Sequence, residues 1–140
     1  MHPAASQIEK LFLPDLEMFA SQMRERYPAL NFDVWKWPTE AVGQGFDLGV
    51  ECVFHVASDG IPNNVALIIE LCYLNSKPRI MGSVVWGHPS GHPEVEFRND
   101  CLTNAEWPEA NPETIEALRG FLPTLIRAFE SAVKRGMPRA

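Results

Sequence analysis

Val65-Ala-Leu-Ile-Ile-Glu-Leu-Cys-Tyr-Leu74, then Asn75-Ser-Lys-Pro78, then Arg79-Ile-Met-Gly-Ser-Val-Val-Trp-Gly87, reads as two antiparallel strands joined by a short connection. Both runs are rich in β-branched and aromatic side chains, and the Asn, Ser and Pro between them are turn formers. Working outward, Phe46 to Ala57 and Phe32 to Trp37 read as two strands before this pair, and Glu94 to Arg98, with its strict alternation of charged and apolar residues, reads as a fifth after it. The connections at 58–63 and 88–93 carry Gly, Pro, Asn or Ser, which suits hairpins.

The ends of the chain have a different period. Ile8, Phe12, Leu16, Phe19, Met23 and Tyr27 recur at spacings of three and four, which places them on one face of a helix, kinked or divided at Pro14. Asn111-Pro-Glu113 is an N-cap, a first-turn proline and a carboxylate at the positive end of the helix dipole. The stripe Ile115, Leu118, Leu122, Leu125, Ile126, Phe129, Val133 follows, and Gly136 and Pro138 end it. The expected fold is α+β over a single domain, residues 1–140: a five-stranded antiparallel meander with one face covered by an N-terminal and a C-terminal helix, α-β-β-β-β-β-α.

Composition agrees with a packed core. Of 140 residues, 37 are Leu, Ile, Val or Phe, above the level at which chains stay disordered. Three cysteines (Cys52, Cys72, Cys101) without CxxC spacing, no basic-then-apolar opening and no apolar run long enough for a bilayer lead to the expectation of a reduced, cytoplasmic protein without a membrane segment.

A uniformly apolar inner face emerges when Glu51 is set opposite Glu70, Glu70 opposite Ser83, and Ser83 opposite Arg98. The outer face then has a charged row of those four residues beside an apolar row of Val53, Ile68 and Val85. Adjacent β-branched residues on an outer face mark either a contact surface or the seat of a covering loop.

The formal charge is -6, and residues 94–116 carry the whole excess, with seven acids against Arg98. No basic stripe is present, which argues against nucleic-acid binding. Once the fifth strand and the start of the last helix are set aside, Asp100, Glu106 and Glu109 remain in a loop around Trp107, a pattern suited to a basic protein partner.

Candidate chemistry is sparser. Glu51, Glu70 and Arg98, joined by His88 and His92, could line a ligand pocket on the outer face, although charged rows on open sheets are ordinarily solvated ion clusters. His88 and His92 lie in a Gly- and Pro-rich loop, where their spacing alone does not make a metal site. Ser90 and Cys101 lack a nucleophile elbow, and Gly43-Gln-Gly45 leads into a strand, unlike a phosphate-binding loop. No catalytic residue, metal or cofactor is expected. The reading is a small protein-binding domain of chaperone, inhibitor or immunity type, with an enzyme or small-ligand pocket on the outer face as the alternative and a homodimer as a further expectation.

Overall fold

The structure, a computed structural model, describes residues 3–39, 45–54, 63–74, 77–87 and 100–137. The chain runs α1 (Pro3–Arg26), β1 (Asn31–Thr39), β2 (Gly45–Val53), β3 (Asn64–Leu74), β4 (Lys77–Trp86), β5 (Asp100–Trp107) and α2 (Pro112–Gly136). All five strands form one antiparallel sheet in the order β1-β2-β3-β4-β5, the expected meander. α1 packs under β1 and β2, and α2 under β3, β4 and β5.

Two features of this meander correct the expectations. The fifth strand is Asp100–Trp107, the stretch expected to be a loop, whereas Glu94 to Arg98 lies outside the described residues. In β5, the helix-facing positions are Thr103, Ala105 and Trp107, and the other positions are mostly polar. An edge strand tolerates that composition, so it carries little alternation to detect.

The second correction is register. Glu51 stands opposite Ala66, and Glu70 stands between Asp47 and Met81; neither faces the residue expected. Ser83 faces Ile68 and Asn104 instead of Glu70 and Arg98. Each slip is an even number of residues, so every side chain keeps its face while changing its neighbours. Alternation fixes the face; the turn fixes the register. Here Leu74 pairs directly with Lys77, so a two-residue connection sets the β3–β4 pairing.

The apolar inner face is therefore as expected. Phe46, Leu48, Val50, Cys52, Val65, Leu67, Ile69, Leu71, Ile80 and Val84 are buried against Ile8, Phe12, Leu16 and Phe19 of α1 and Leu118, Leu125 and Phe129 of α2. Phe129 stacks edge-on against Phe19, ring centroids 5.6 Å apart, and lies 6.4 Å from Phe32, so one aromatic set ties both helices to β1. Gly82 lets α2 sit close: a Cβ there would lie 2.8 Å from Leu118 Cδ1 and Leu125 Cδ1.

α1 runs unbroken through Pro14, an exposed position, so the helix is one element and not two. Its last turn is fixed by Arg24, whose Nε and Nη2 donate to the Phe32 carbonyl at 2.9 and 2.6 Å. Lys36 meets Glu9 at 2.8 Å and Arg26 meets Glu130 at 3.3 Å, joining α1 to β1 and to α2. α2 opens on the expected cap: Asn111 Oδ1 accepts from the Thr114 N–H at 2.9 Å, and the Asn111 N–H donates to Thr114 Oγ1 at 3.0 Å.

Candidate functional site

Both helices lie on one side of the sheet, and none of the described helices covers the other. Three transverse rows give this outer face its character. The first is Asp33, Glu51, Ala66, Val85 and Cys101; the second is Trp35, Gly49, Ile68, Ser83 and Asn104; the third is Trp37, Asp47, Glu70, Met81 and Glu106. Cys72 and Arg79 face each other beyond the third row.

The apolar part of this face is more enclosed than a solvated row. Ala66, Ile68 and Val85 form their own cluster at 0, 4 and 8% exposure, and Trp35 packs against it. Val53, expected beside Ile68, is displaced by the register to pair with Asn31 and Asn64 and is half-buried. The Trp35 indole reaches across Gly49, whose missing side chain makes room for it.

In the third row the carboxylates of Asp47 and Glu70 stand directly opposite each other on β2 and β3. Burial pushes Asp47 up to about 6. Burial, reinforced by the Asp47 charge, pushes Glu70 up to about 7 against the opposing pull of Arg79. The expected pairing of Glu51 with Glu70 is not formed; Glu70 is opposed by Asp47 instead, a residue the alternation did not single out. Arg79 is half-buried and bonds Glu106 through Nη1. It also bonds the Cys72 thiol, which burial nevertheless holds above its ordinary range. Cys52, on the opposite face, is buried in the core and pushed up to about 12, which leaves it a packing residue rather than a nucleophile.

The residues expected around Trp107 are separated by the strand. Glu106 turns outward to Arg79, whereas Trp107 turns inward and meets Phe121 of α2 edge-on at 6.3 Å. Glu109 lies past the strand end and accepts from Asn111 Nδ2 at 3.2 Å. Asp100 begins β5 opposite Trp86. Arg98, His88 and His92 lie outside the described residues. Among the described residues no three His, Cys, Asp or Glu side chains converge as metal ligands, and no helix is long and apolar enough to cross a membrane.

Folding also sorts charge in a way the linear count hides. The helices are balanced: Lys10, Arg24, Arg26, Arg119, Arg127, Lys134 and Arg135 against Glu9, Asp15, Glu17, Glu25, Glu113, Glu116 and Glu130. Among the described residues, the outer face of the sheet carries Asp33, Asp47, Glu51, Glu70 and Glu106 against Lys77 and Arg79. Four of those five acids come from the part of the chain that is neutral by count.

Fold and face together define an α+β domain whose meander, among the described residues, bears more acids than bases on the side away from its helices. No family model, curated protein or solved structure matches the chain.

Proposed function

We propose that this is a protein-binding domain that docks a cationic partner on the open face of its sheet. The observation that supports this reading is the charge sorting: among the described residues, five carboxyl groups against two cations on the face away from the helices, over a helix layer that is neutral. Such a face draws in positive partners and rejects negative ones. Trp35 and Val53, half-buried at its β1–β2 end, offer apolar contact area beside the acids. Glu106 and, past the strand end, Glu109 extend the acidic surface along the β5 side, whereas Asp100 stands at the register position of Trp86 on the helix side of the sheet. Trp107, Ile68 and Val85 support that surface from beneath rather than presenting much area of their own.

The test is a partner captured from extracts of the source cells, identified, and titrated against purified protein at two salt concentrations. Neutralising Asp33 and Glu51 should weaken binding and flatten its salt dependence, whereas neutralising Glu17 and Glu25 on α1 should do neither. Equal effects from both pairs, or affinity indifferent to salt, would discard the open face as the docking surface. A copy of the same chain suits this face poorly, because carboxylates would meet carboxylates. A homodimer would therefore use the β1 or β5 edge, and light scattering at two concentrations reads its presence.

One observation favours a second reading, a small-ligand or catalytic site on the same face. Asp47 and Glu70 have their carboxyls raised toward neutral, where an acid–base pair works best. A thermal-shift screen of small polar ligands at pH 7 separates the two readings. A hit whose stabilisation disappears in Glu70→Gln supports the pocket, and hits indifferent to that substitution remove it.

A further inference from the structure

We propose that Asp47, Glu70 and Arg79 form a proton-linked switch on the open face, in which loss of the proton held between the two opposed carboxyls turns Glu70 onto the unspent Nε–H of Arg79. The switch requires no partner, so it stands or falls apart from the docking reading.

Two independent features of the geometry carry it. The first is the direct cross-strand opposition of two carboxylates, which no hydrogen bond or ion pair from another described residue relieves. Like charges in that position repel, and the repulsion is removed most simply by keeping one proton between them. The second is Arg79. Its Nη1 is committed to Glu106 and it bonds the Cys72 thiol, yet its Nε is buried with no acceptor. A buried guanidinium N–H without a partner is rare and calls for an acceptor that arrives in another state.

Glu70 is placed to be that acceptor. It precedes Cys72 by two residues on the same face of β3, and Cys72 is the direct cross-strand partner of Arg79. Glu70 and Arg79 are thus diagonal neighbours, within the span of two long side chains. Each already acts on the other electrostatically.

The surroundings set the direction of the response. On β1 the register residue opposite Asp47 is Trp37, which is uncharged. Along β2, Glu51 adds a further carboxylate two face positions away, and on β5 Glu106 lies beyond Met81, already held by Arg79. Cys72 is neutral at physiological pH, burial holding its thiol up. Among the described residues, Arg79 and Lys77 are the cations of this face, and Arg79 is the nearer by register. Burial first and mutual repulsion second hold the pair's proton into the neutral range, with Asp47 at about 6 and Glu70 at about 7. In the protonated state the pair shares one proton and carries a single negative charge, so the two carboxyls do not repel. In the deprotonated state the extra charge is met by the Nε–H, and the carboxylate row exposes one more negative charge.

The test is an NMR titration of the whole protein from pH 5 to pH 8.5, following the side-chain carboxyl carbons of Asp47 and Glu70 and the Nε–H of Arg79. The expected result is a Glu70 midpoint near neutral, with the Arg79 Nε–H moving downfield and exchanging more slowly at the same midpoint. Asp47→Asn should shift the Glu70 midpoint downward and carry the Arg79 response with it. Glu70→Gln should abolish that response, and Arg79→Lys, which keeps charge but lacks the Nε–H, should shift the Glu70 midpoint upward. Carboxyls titrating in their ordinary range, or an Arg79 Nε–H unmoved through the Glu70 transition, would overturn the proposal. The wild-type titration decides this alone should a variant fail to fold.

Discussion

The indole of Trp35 lies across Gly49, its direct partner on β2, so closely that a Cβ at Gly49 would stand 2.5 Å from Trp35 Cη2. The Leu67 carbonyl crowds the same point from the β3 side. A glycine here gives an aromatic side chain a shelf on an otherwise open sheet, and the aromatic ring shields the glycine backbone in return. Gly49→Ala should therefore destabilise the fold by about 1–3 kcal/mol, as overpacking does. In a Trp35→Ala background the same change should cost less, the remainder being the clash with Leu67. Urea denaturation of both single variants and the double variant measures the coupling; strict additivity would show that Trp35 does not rest on Gly49.

How far the chain could be read before folding depended on which kind of order was being read. Helix faces and the inner face of the sheet are written as periodicities, and buried Leu67, Ile69, Ile80 and Val84 stand where alternation places them. Register is not written in alternation, so Asp47 was hidden as the partner of Glu70 until the pairing of β2 with β3 fixed the frame. The Arg79–Glu106 pair was hidden for another reason. A polar edge strand resembles a loop in composition, and Asp100–Trp107 has no strong apolar face to betray it. The sorting of charge between helix layer and outer face follows from the pairing, and no count along the chain could disclose it.

Gly82 tests how tightly α2 is seated. A methyl there would meet Leu118 and Leu125, each at 2.8 Å, and both are fully buried. Leucine tips can turn aside, so Gly82→Ala should cost about 1 kcal/mol, but Gly82→Val about 3 kcal/mol or more as the helix is pushed off β4. Thermal denaturation ranks the two. Equal stability of Gly82→Val and wild type would show that α2 has slack over the sheet.

The cap of α2 makes a separate prediction. Asn111 and Thr114 satisfy each other's backbone donors reciprocally, with Pro112 at the first helical position. Asn111→Ala removes one acceptor and should cost about 1 kcal/mol, whereas Asn111→Asp should keep it and add a favourable charge at the helix start. Chemical denaturation should therefore order the proteins Asp at or above Asn, and both above Ala. An Ala variant as stable as wild type would mean the first turn is held by packing alone.

Stability itself should depend on pH in a direction opposite to that of an ordinary salt-bridged carboxylate. Asp47 is raised from 3.8 to about 6 and Glu70 from 4.5 to about 7, chiefly by burial. The folded state thus binds more protons than the unfolded chain between about pH 4 and pH 7, so unfolding releases protons and stability falls as pH rises through that window. The stabilising contribution of the protonated pair is fully present below the unfolded values and is lost as pH passes the folded ones. Because the two groups are coupled, the combined loss between pH 5 and pH 8 should be about 1–3 kcal/mol rather than the sum of two separate shifts. Glu70→Gln should remove most of this slope, leaving the variant more stable than wild type at pH 8 and little different at pH 5. Urea denaturation at pH 5, 6, 7 and 8 reads the slope directly, and a wild-type stability that rises from pH 5 to pH 8 would show that the pair ionises freely in the folded sheet.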